Sequence, residues 1–263
     1  MEVIICADAT EVGRVGAAKV AKVAGDVGPA VVLGVATGSS PLSCYAELAS
    51  RVASGQLDLA QASAFALDEY VGLPPGHPQS YAEVIRTTVT EPLRLDPARV
   101  HVPDGFASDL AGAGPAYEAA IAAAGGVDCQ ILGVGTNGHI GFNEPTSSLS
   151  SRTRIKTLTD RTRVDNARFF ASIDEVPRHC LTQGLGTIMA ARTVVLMASG
   201  ASKAQAVAAL VEGPVTSLWP GSVLQLHEHA TIVVDEAAAG LLKLADYYRE
   251  TYAWLPDWQR LEI

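Results

Sequence analysis

Short apolar runs alternate with longer stretches of helical pattern along most of the chain. The runs are rich in Val, Ile or Leu and lack polar alternation, as expected of strands buried on both faces of a parallel sheet. Six runs fit this description, at residues 3–6, 30–35, 64–67, 129–133, 194–198 and 231–234. We therefore predict that these six segments are strands.

The stretches between the runs carry helix signals. Four valines of the first stretch share one helical face: Val12, Val15, Val20 and Val23. Pro41 is suited to the first turn of a second helix, and residues 202–212 form another that ends at Gly213. Strand followed by helix, about six times, predicts an α/β fold with a doubly wound, mostly parallel sheet and helices on both faces, of the Rossmann-like kind.

One segment departs from this rhythm. Residues 1–263 contain no repeat or linker, so we predict a single domain, but residues 147–177 are polar, rich in Arg and Thr, and weakly periodic. A long excursion of this kind inside a compact domain is often a functional lid. A pair of surface helices explains the same composition equally well, and both interpretations stay open at this point.

Composition narrows the class of partner. Hydrophobic residues make up 48% of the chain and charged residues 18%, as in globular proteins. The formal net charge is −9, which argues against nucleic acid or an anionic membrane as the main partner. A small anionic ligand remains compatible, because a local cluster of donors can bind phosphate against an unfavourable overall charge.

Cysteine usage and the N-terminus indicate the compartment. The four cysteines lie far apart without a CxxC pair, so we expect reduced thiols rather than a disulfide framework or a zinc site: Cys6, Cys44, Cys129 and Cys180. The N-terminal apolar run is too short for a signal peptide, and no apolar stretch approaches the roughly 20 residues that span a membrane. We therefore expect a soluble cytoplasmic protein.

The first candidate site follows the second predicted strand. Thr37, Gly38, Ser39 and Ser40 form a small polar turn, and Pro41 then opens a helix. Such a turn presents unpaired backbone N–H groups and hydroxyls at a helix N-terminus, which favours phosphate. An ordinary strand-to-helix turn has a similar composition, so the signal is moderate when taken alone.

The second candidate site follows the third predicted strand. Asp68 and Glu69 are adjacent carboxylates at the edge where α/β sheets place their active sites. A partly buried carboxylate there can act as a general base. By themselves, however, the two acids are better explained as a helix cap or loop acids.

The third segment, residues 133–145, is the most informative. Its glycines formally match GxGxxG, but a dinucleotide site requires a helix to begin at the third glycine, and Gly141 and Pro145 break the chain soon afterwards. We therefore reject that interpretation and expect a compact polar loop. Within it, His139 and Glu144 are a natural acid/base pair, with Asn137 nearby.

Two cations complete the candidate residues. Arg168 lies in the polar excursion, and Lys203 lies where a helix follows a buried strand. A lysine at a helix N-terminus opposes the helix dipole, which suggests an anionic ligand that offsets the cost. Solvated surface charges explain both residues equally well without further information.

Taken together, these segments resemble the glucosamine-6-phosphate deaminase family over nearly the whole chain. The most specific strings are LDEYVGL at 67–73, GHIGFNEP at 138–145 and SRTRIKT at 151–157. Phosphogluconolactonases and sugar-phosphate-sensing domains share the fold, and we do not expect them to keep the last two strings together.

The resemblance implies conversion of glucosamine 6-phosphate to fructose 6-phosphate and ammonia, in aminosugar catabolism. It implies that His139, supported by Glu144 and Asn137, opens the sugar ring, and that Asp68 moves the C2 proton to C1. Phosphate would be held by Thr37, Gly38, Ser39 and Ser40, with Arg168 and Lys203. Neither a cofactor nor a metal is implied.

Position 137 departs from part of the family, because some members carry Asp where this chain has Asn137. An asparagine carbonyl can accept the imidazole N–H but cannot stabilise imidazolium by charge. We therefore expect Glu144 to supply the electrostatic support of His139 in this chain.

Some relatives are activated by an acetylated aminosugar phosphate bound between subunits. Four positions match that second site: Ser147, Arg154, Lys156 and Tyr247. A further family acid corresponds to Thr193, so only the phosphate-binding half of the site is kept. Allosteric activation and a homo-oligomer are therefore weak expectations.

Three alternatives stay open. A 6-phosphogluconolactonase on this fold would not need Asp68 as a carbon base, and a galactosamine-6-phosphate deaminase would keep most of the same groups. A non-enzymatic sugar-phosphate sensor normally adds a DNA-binding segment, for which this chain has neither a spare region nor a basic face.

Overall fold

Ten strands and nine α-helices make up the regular structure in the computed structural model, which describes residues 1–167 and 170–261. The strands are β1 (Glu2–Cys6), β2 (Val32–Val35), β3 (Ser63–Ala66), β4 (Asp68–Tyr70), β5 (Val100–His101), β6 (Cys129–Leu132), β7 (Arg154–Thr157), β8 (His179–Thr182), β9 (Thr193–Ala198) and β10 (Ala230–Asp235). The helices are α1 (Ala9–Val27), α2 (Leu42–Ala53), α3 (Tyr81–Ile85), α4 (Leu110–Ala123), α5 (Asp160–Ala167), α6 (Leu185–Ile188), α7 (Ala204–Val211), α8 (Glu236–Ala239) and α9 (Ala245–Ala253).

Seven strands form a parallel sheet in the order β1-β10-β9-β6-β2-β3-β5. The six predicted strands are all in this sheet, with bounds shifted by no more than two residues. Their runs of Val, Ile and Leu are continuous because both faces of the sheet are covered. The sequence pattern therefore located the central sheet correctly.

Neighbouring residues of one strand contribute to different cores. Leu33 and Val35 pack with α1 and α2 on one face, whereas Val32 and Leu132 pack with α4 and α7 on the other. This division follows from the two-residue period of a strand, which sends successive side chains to opposite faces. The predicted doubly wound arrangement, with helices on both faces, is confirmed.

The helix predictions also agree with the structure. The first predicted helix is α1, capped by the Asp8 side chain and ending at Gly28, whose φ is 96°. Pro41 immediately precedes α2. The predicted segment 202–212 corresponds to a 3-10 turn, Ala201–Lys203, followed by α7.

A small three-stranded sheet, β4-β8-β7, stands beside the large one and is antiparallel. It joins the large sheet through Leu67, whose carbonyl accepts a hydrogen bond from the Gln183 backbone N–H at 2.7 Å. The segment 147–177 supplies β7, α5 and a 3-10 turn, Ile173–Glu175. Its described residues thus form a strand and one α-helix rather than the pair of surface helices that we considered.

None of the helices within residues 1–167 and 170–261 has the combination of length and apolar character needed to cross a membrane.

Candidate active site

The connections from β2 and β6, which are neighbours in the large sheet, run in opposite directions. After β2 the chain proceeds to β3 and β5 on one side, and after β6 it proceeds to β9 and β10 on the other. Loops diverge at such a point and leave a crevice at the carboxyl ends of the strands, where α/β proteins bind ligands. A cavity of about 540 Å³ lies there.

The cavity brings together segments that are far apart in the sequence. Residues 36–40 follow β2, Leu67 and Asp68 follow β3, and residues 133–136 with His139 follow β6. Lys203 reaches it from the segment after β9. Predicted residues of all three candidate segments therefore line one site.

The turn after β2 has the form expected of an anion site. Gly38 has a φ of 88°, a left-handed conformation that glycine adopts without strain. Among the residues that the structure describes, no side chain caps the N-terminus of α2, and Thr37, Gly38, Ser39 and Ser40 all line the cavity. The N–H groups at this helix end and the nearby hydroxyls can bind phosphate.

Lys203 lines the same cavity as this turn. Its Nζ donates a hydrogen bond to the Val134 carbonyl at 2.7 Å, which holds the ammonium group beside the loop after β6. The residue ends the 3-10 turn and directly precedes α7. The cavity thus combines a cation with a helix N-terminus, while the other predicted phosphate ligand, Arg168, lies outside the described residues.

Asp68 is the carboxyl group of the cavity floor. Its side chain lies where β4 begins, and the residue is 5% exposed. Burial, and secondarily the neighbouring Glu69 charge, raise the pKa of Asp68 to about 8. A carboxyl with this pKa changes protonation state near neutral pH, which suits a group that must both take and return a proton.

Glu69 has a different role from its neighbour. Its Oε1 accepts hydrogen bonds from the backbone N–H groups of Tyr70 (2.7 Å) and Tyr81 (2.9 Å), and Oε2 accepts one from Ala82 (2.8 Å). Burial raises the pKa of Glu69, while these backbone hydrogen bonds act in the opposite direction. Glu69 therefore caps the N-terminus of α3, as the simpler explanation of a paired acid suggested.

A chain of hydrogen bonds links the predicted residues of the third segment. His139 Nδ1 lies 2.6 Å from Asn137 Oδ1, and Asn137 Nδ2 donates to Glu144 Oε2 at 2.7 Å. The carboxylate can only accept, so the amide nitrogen of Asn137 faces Glu144 and its oxygen faces the imidazole. Neutral His139 then carries its proton on Nδ1, and Nε2 keeps a lone pair.

Glu144 also lies within direct electrostatic range of the ring. Its Oε2 is 3.9 Å from His139 Nδ1, and the Glu144 side chain is nearly buried whereas that of His139 is partly exposed. A buried carboxylate at this distance favours imidazolium when the ring is protonated. The geometry thus matches the role that we expected of Glu144, although that role stays a prediction.

Glycines shape the loop that carries these groups. The imidazole ring lies directly over Gly135, where any Cβ would overlap it, and Gly135 N–H donates to the His139 carbonyl at 2.9 Å. Gly138 has a φ of 80° and faces Trp219. No helix begins at Gly138, so the loop lacks the helix start that a dinucleotide site requires there.

Three residues that the sequence interpretation did not single out also line the cavity: Tyr81, Thr162 and Asn166. Tyr81 begins α3, and its ring stacks on Phe142 with an interplanar angle of 8°. Thr162 and Asn166 belong to α5, within the polar excursion. Only tertiary structure brings that helix to the cavity, since its own sequence has no apolar face that would indicate where it packs.

The predicted allosteric residues lie on three different segments of the chain. Arg154 and Lys156 lie on β7, where Arg154 donates to Asn143 Oδ1 at 2.9 Å and burial lowers its pKa. Ser147 is buried, and its hydroxyl makes no hydrogen bond to the described residues. Tyr247 is exposed on α9, which packs against β1 at an edge of the large sheet.

The described residues provide no set of side chains suited to binding a metal ion. Those residues contain no group of three or more His, Cys, Asp or Glu side chains that could hold an ion. The cysteines are buried free thiols: Cys6, Cys44, Cys129 and Cys180.

Comparison with known proteins identifies the family. The sequence model of the glucosamine-6-phosphate isomerases/6-phosphogluconolactonase family matches residues 7–233. The chain belongs to this family. A protein from Pseudarthrobacter chlorophenolicus named glucosamine-6-phosphate deaminase is 60% identical to this chain, over 98% of this chain and 99% of its own.

A protein of the same name from Cutibacterium acnes is 61% identical, over 95% of this chain and 96% of its own. Among solved structures of the family, a monomeric glucosamine-6-phosphate deaminase matches with a TM-score of 0.89 and 38% identity, over 92% of this chain and 100% of that one. The 6-phosphogluconolactonase from Trypanosoma brucei matches with a TM-score of 0.73 at 18% identity, which shows a common fold.

Proposed function

We propose that this protein is a glucosamine-6-phosphate deaminase that converts its substrate to fructose 6-phosphate and ammonia. The observation that carries the proposal is the shared cavity, where Asp68, His139 and the turn at 37–40 face one another. Proteins that carry this name and are about 60% identical over nearly their whole length support the same assignment.

Ring opening is the task of His139. The lone pair on Nε2 can take the proton of the C1 hydroxyl, and the resulting imidazolium can deliver it to the ring oxygen. Asn137 holds the tautomer in which Nε2 carries no proton, and the nearby Glu144 carboxylate stabilises the transient positive charge. The proton count is unchanged, and an open-chain aldehyde results.

Isomerisation and deamination then follow at Asp68. The ionised carboxylate takes the proton from C2 while the C2 ammonium group of the substrate passes one proton to O1, giving an enolamine. The carboxyl then returns its proton at C1, giving a C2 iminium. Water adds to C2 and ammonium leaves, so the reaction consumes one water and is hydrolytic at the C–N bond. Each step is proton transfer or addition of water, and we propose that no cofactor takes part.

Substrate binding is assigned to the cationic end of the cavity. We propose that the phosphate lies on the backbone N–H groups at 37–40, opposite the Lys203 ammonium, with Arg168 as a further ligand. The net charge of −9 makes such a local donor cluster necessary for an anionic substrate. The partner class is thus a small aminosugar phosphate rather than nucleic acid or membrane.

The test is an assay of purified protein with glucosamine 6-phosphate in which fructose 6-phosphate and ammonia are both measured. We expect equal amounts of the two products, and loss of both in Asp68→Asn, which keeps the shape of the side chain but cannot accept a carbon-bound proton. In the wild type kcat/KM should rise with pH up to about 8, as Asp68 ionises.

Two substrates separate the alternatives in the same assay. Faster turnover of galactosamine 6-phosphate would reassign the epimer while keeping the mechanism. Hydrolysis of 6-phosphogluconolactone that persists in Asp68→Asn, without deamination by the wild type, would contradict the proposal and favour a lactonase.

A further inference from the structure

Thr162 is a buried polar residue of the cavity that the proposed mechanism does not use. It lies in the first turn of α5 and is 5% exposed. Its hydroxyl donates a short hydrogen bond to Glu144 Oε1, the carboxylate oxygen that Asn137 does not contact. Both oxygens of the Glu144 carboxylate are therefore held, one by the catalytic loop and one by α5.

The direction of each hydrogen bond around Thr162 is determined by its partners. An ionised carboxylate has no proton to give, so the single hydroxyl proton of Thr162 points to Glu144. Thr159 Oγ1 lies 3.0 Å from Thr162 Oγ1, and since the Thr162 proton is already used, Thr159 is the donor of that pair. Thr159 Oγ1 also accepts from the Thr162 backbone N–H at 3.2 Å, which ties the pair to the start of α5.

The donor and acceptor directions of these hydrogen bonds also determine how Asn137 faces His139. A carboxylate held by Thr162 keeps its other oxygen against the Asn137 amide nitrogen, and this orientation turns the amide oxygen to the ring. Without the Thr162 hydroxyl, Glu144 can rotate away, and the two orientations of the Asn137 amide become closer in energy. The reversed amide would donate to Nδ1 and move the ring proton to Nε2, where a base is required.

We propose that Thr162 is a positioning residue that, through Glu144 and Asn137, holds His139 in the Nδ1–H tautomer. Its importance for turnover rests on the proposed function, but its effect on the ring does not. The residue also connects α5, and hence the polar excursion, to the acid/base group of the cavity.

Other charges surround the ring and must be considered in the same experiment. Within the described residues, the titratable groups that line the cavity with His139 are Asp68 from β4, Tyr81 from α3 and Lys203 before α7. The Thr162 hydroxyl donates to Glu144 Oε1, so a change at Thr162 acts on His139 through this carboxylate.

Thr162→Val is the decisive variant, because valine has nearly the same shape and lacks the hydroxyl. In substrate-free protein, nitrogen NMR of the imidazole should show the Nδ1–H tautomer for wild-type His139 and a mixture of tautomers for the variant. Imidazolium should form at a lower pH, because Glu144 no longer stabilises it at a fixed distance. With glucosamine 6-phosphate, kcat should fall about tenfold or more, while KM changes little.

Two further variants make the result specific. Thr162→Ser keeps the hydroxyl and should restore the wild-type tautomer and most of kcat. Thr187→Val is the matched control, because Thr187 donates to the Glu118 carboxylate at 2.6 Å away from the cavity and is similarly buried. It should lower stability without changing the His139 spectrum. Thr162→Ala repeats the test if the valine variant does not fold.

A wild-type tautomer and titration in Thr162→Val would overturn the proposal, whatever the loss of activity. A serine variant with the same mixed tautomers as the valine variant would also overturn it. Failure of the proposed function is recognised separately, because a wild type that releases no ammonia from glucosamine 6-phosphate leaves the substrate-free spectra able to decide the role of Thr162.

Discussion

At the scale of single residues, the site places an acid where its charged form is disfavoured. Asp68 lies at the start of β4, where it is buried, and the charge of the neighbouring Glu69 acts on its carboxyl group. Both influences favour the neutral form, so the folded protein binds this proton more tightly than the unfolded chain does. The property that suits the group to proton transfer near neutral pH also costs stability.

This argument predicts how stability changes with pH. A carboxyl whose pKa rises from 3.8 to about 8 on folding lowers the free energy of unfolding progressively as pH rises between those values. Asp68→Asn removes this dependence. In urea denaturation we expect the variant to be more stable than the wild type, with a gap that grows by about 1–3 kcal/mol from about pH 5 to 8.

The opposite sign would contradict the raised pKa. If the stability gap between Asp68→Asn and wild type shrank as pH increased, Asp68 would be stabilised in its charged form by the fold, and its role as a base with a pKa near neutral would need another explanation.

At the scale of elements, one carboxylate determines where α3 begins. Glu69 accepts the backbone N–H groups of Tyr81 and Ala82 in the first turn of this five-residue helix, and Ser80 accepts a third from Glu83 at 3.3 Å. This α-helix is only five residues long before the chain continues as a π-helix, Arg86–Thr90, so it has little stability of its own and depends on such caps and on packing. Since Tyr81 is its first residue, the cap also positions a side chain of the cavity.

We predict that Glu69→Ala lowers the free energy of unfolding by about 2 kcal/mol, because buried N–H groups lose a charged acceptor. Glu83→Ala is the matched control, since it removes a carboxylate from the same helical turn that pairs with the exposed Arg86. That control should cost less than about 1 kcal/mol. Equal losses in urea denaturation of the two variants would show that the Glu69 cap is not important.

At the scale of the whole molecule, the site is a consequence of topology. The opposite winding of the chain on the two sides of the β2–β6 pair opens the crevice, and four loops meet there. The small sheet extends this arrangement, because Leu67 belongs to the connection between β3 and β4 and also accepts from Gln183 after β8. The two sheets are thus joined by the chain itself and by a backbone hydrogen bond at Leu67.

We therefore predict one cooperative unfolding transition for the large and small sheets together. Differential scanning calorimetry should give a single peak, and circular dichroism and tryptophan fluorescence should report the same midpoint. Two separated transitions would indicate that the small sheet with the 147–177 segment unfolds independently, against the prediction of a single domain.

The sequence by itself determined the central sheet and the chemistry of its edge. Strands buried on both faces must be apolar at every position, so β2, β6 and β9 are visible as continuous runs. Parallel strands end at one edge, which is why the turn at 37–40, Asp68 and His139 could be predicted to lie together. Glycines and Pro145 excluded a dinucleotide helix because backbone conformation is a local property.

Three features became apparent only in the tertiary structure: the pairing of the small sheet, the capping of α3 by Glu69 and the position of Thr162 beside Glu144. Strands β4, β7 and β8 contain polar residues, so they show no continuous apolar run in the sequence, unlike β2, which is equally short. Asp68 and Glu69 are adjacent acids that the sequence does not distinguish. The fold brings backbone N–H groups to Glu69 and places Asp68 in the cavity lining. Thr162 is a common residue in a polar helix, and its meaning comes from the Glu144 carboxylate that the fold places against it.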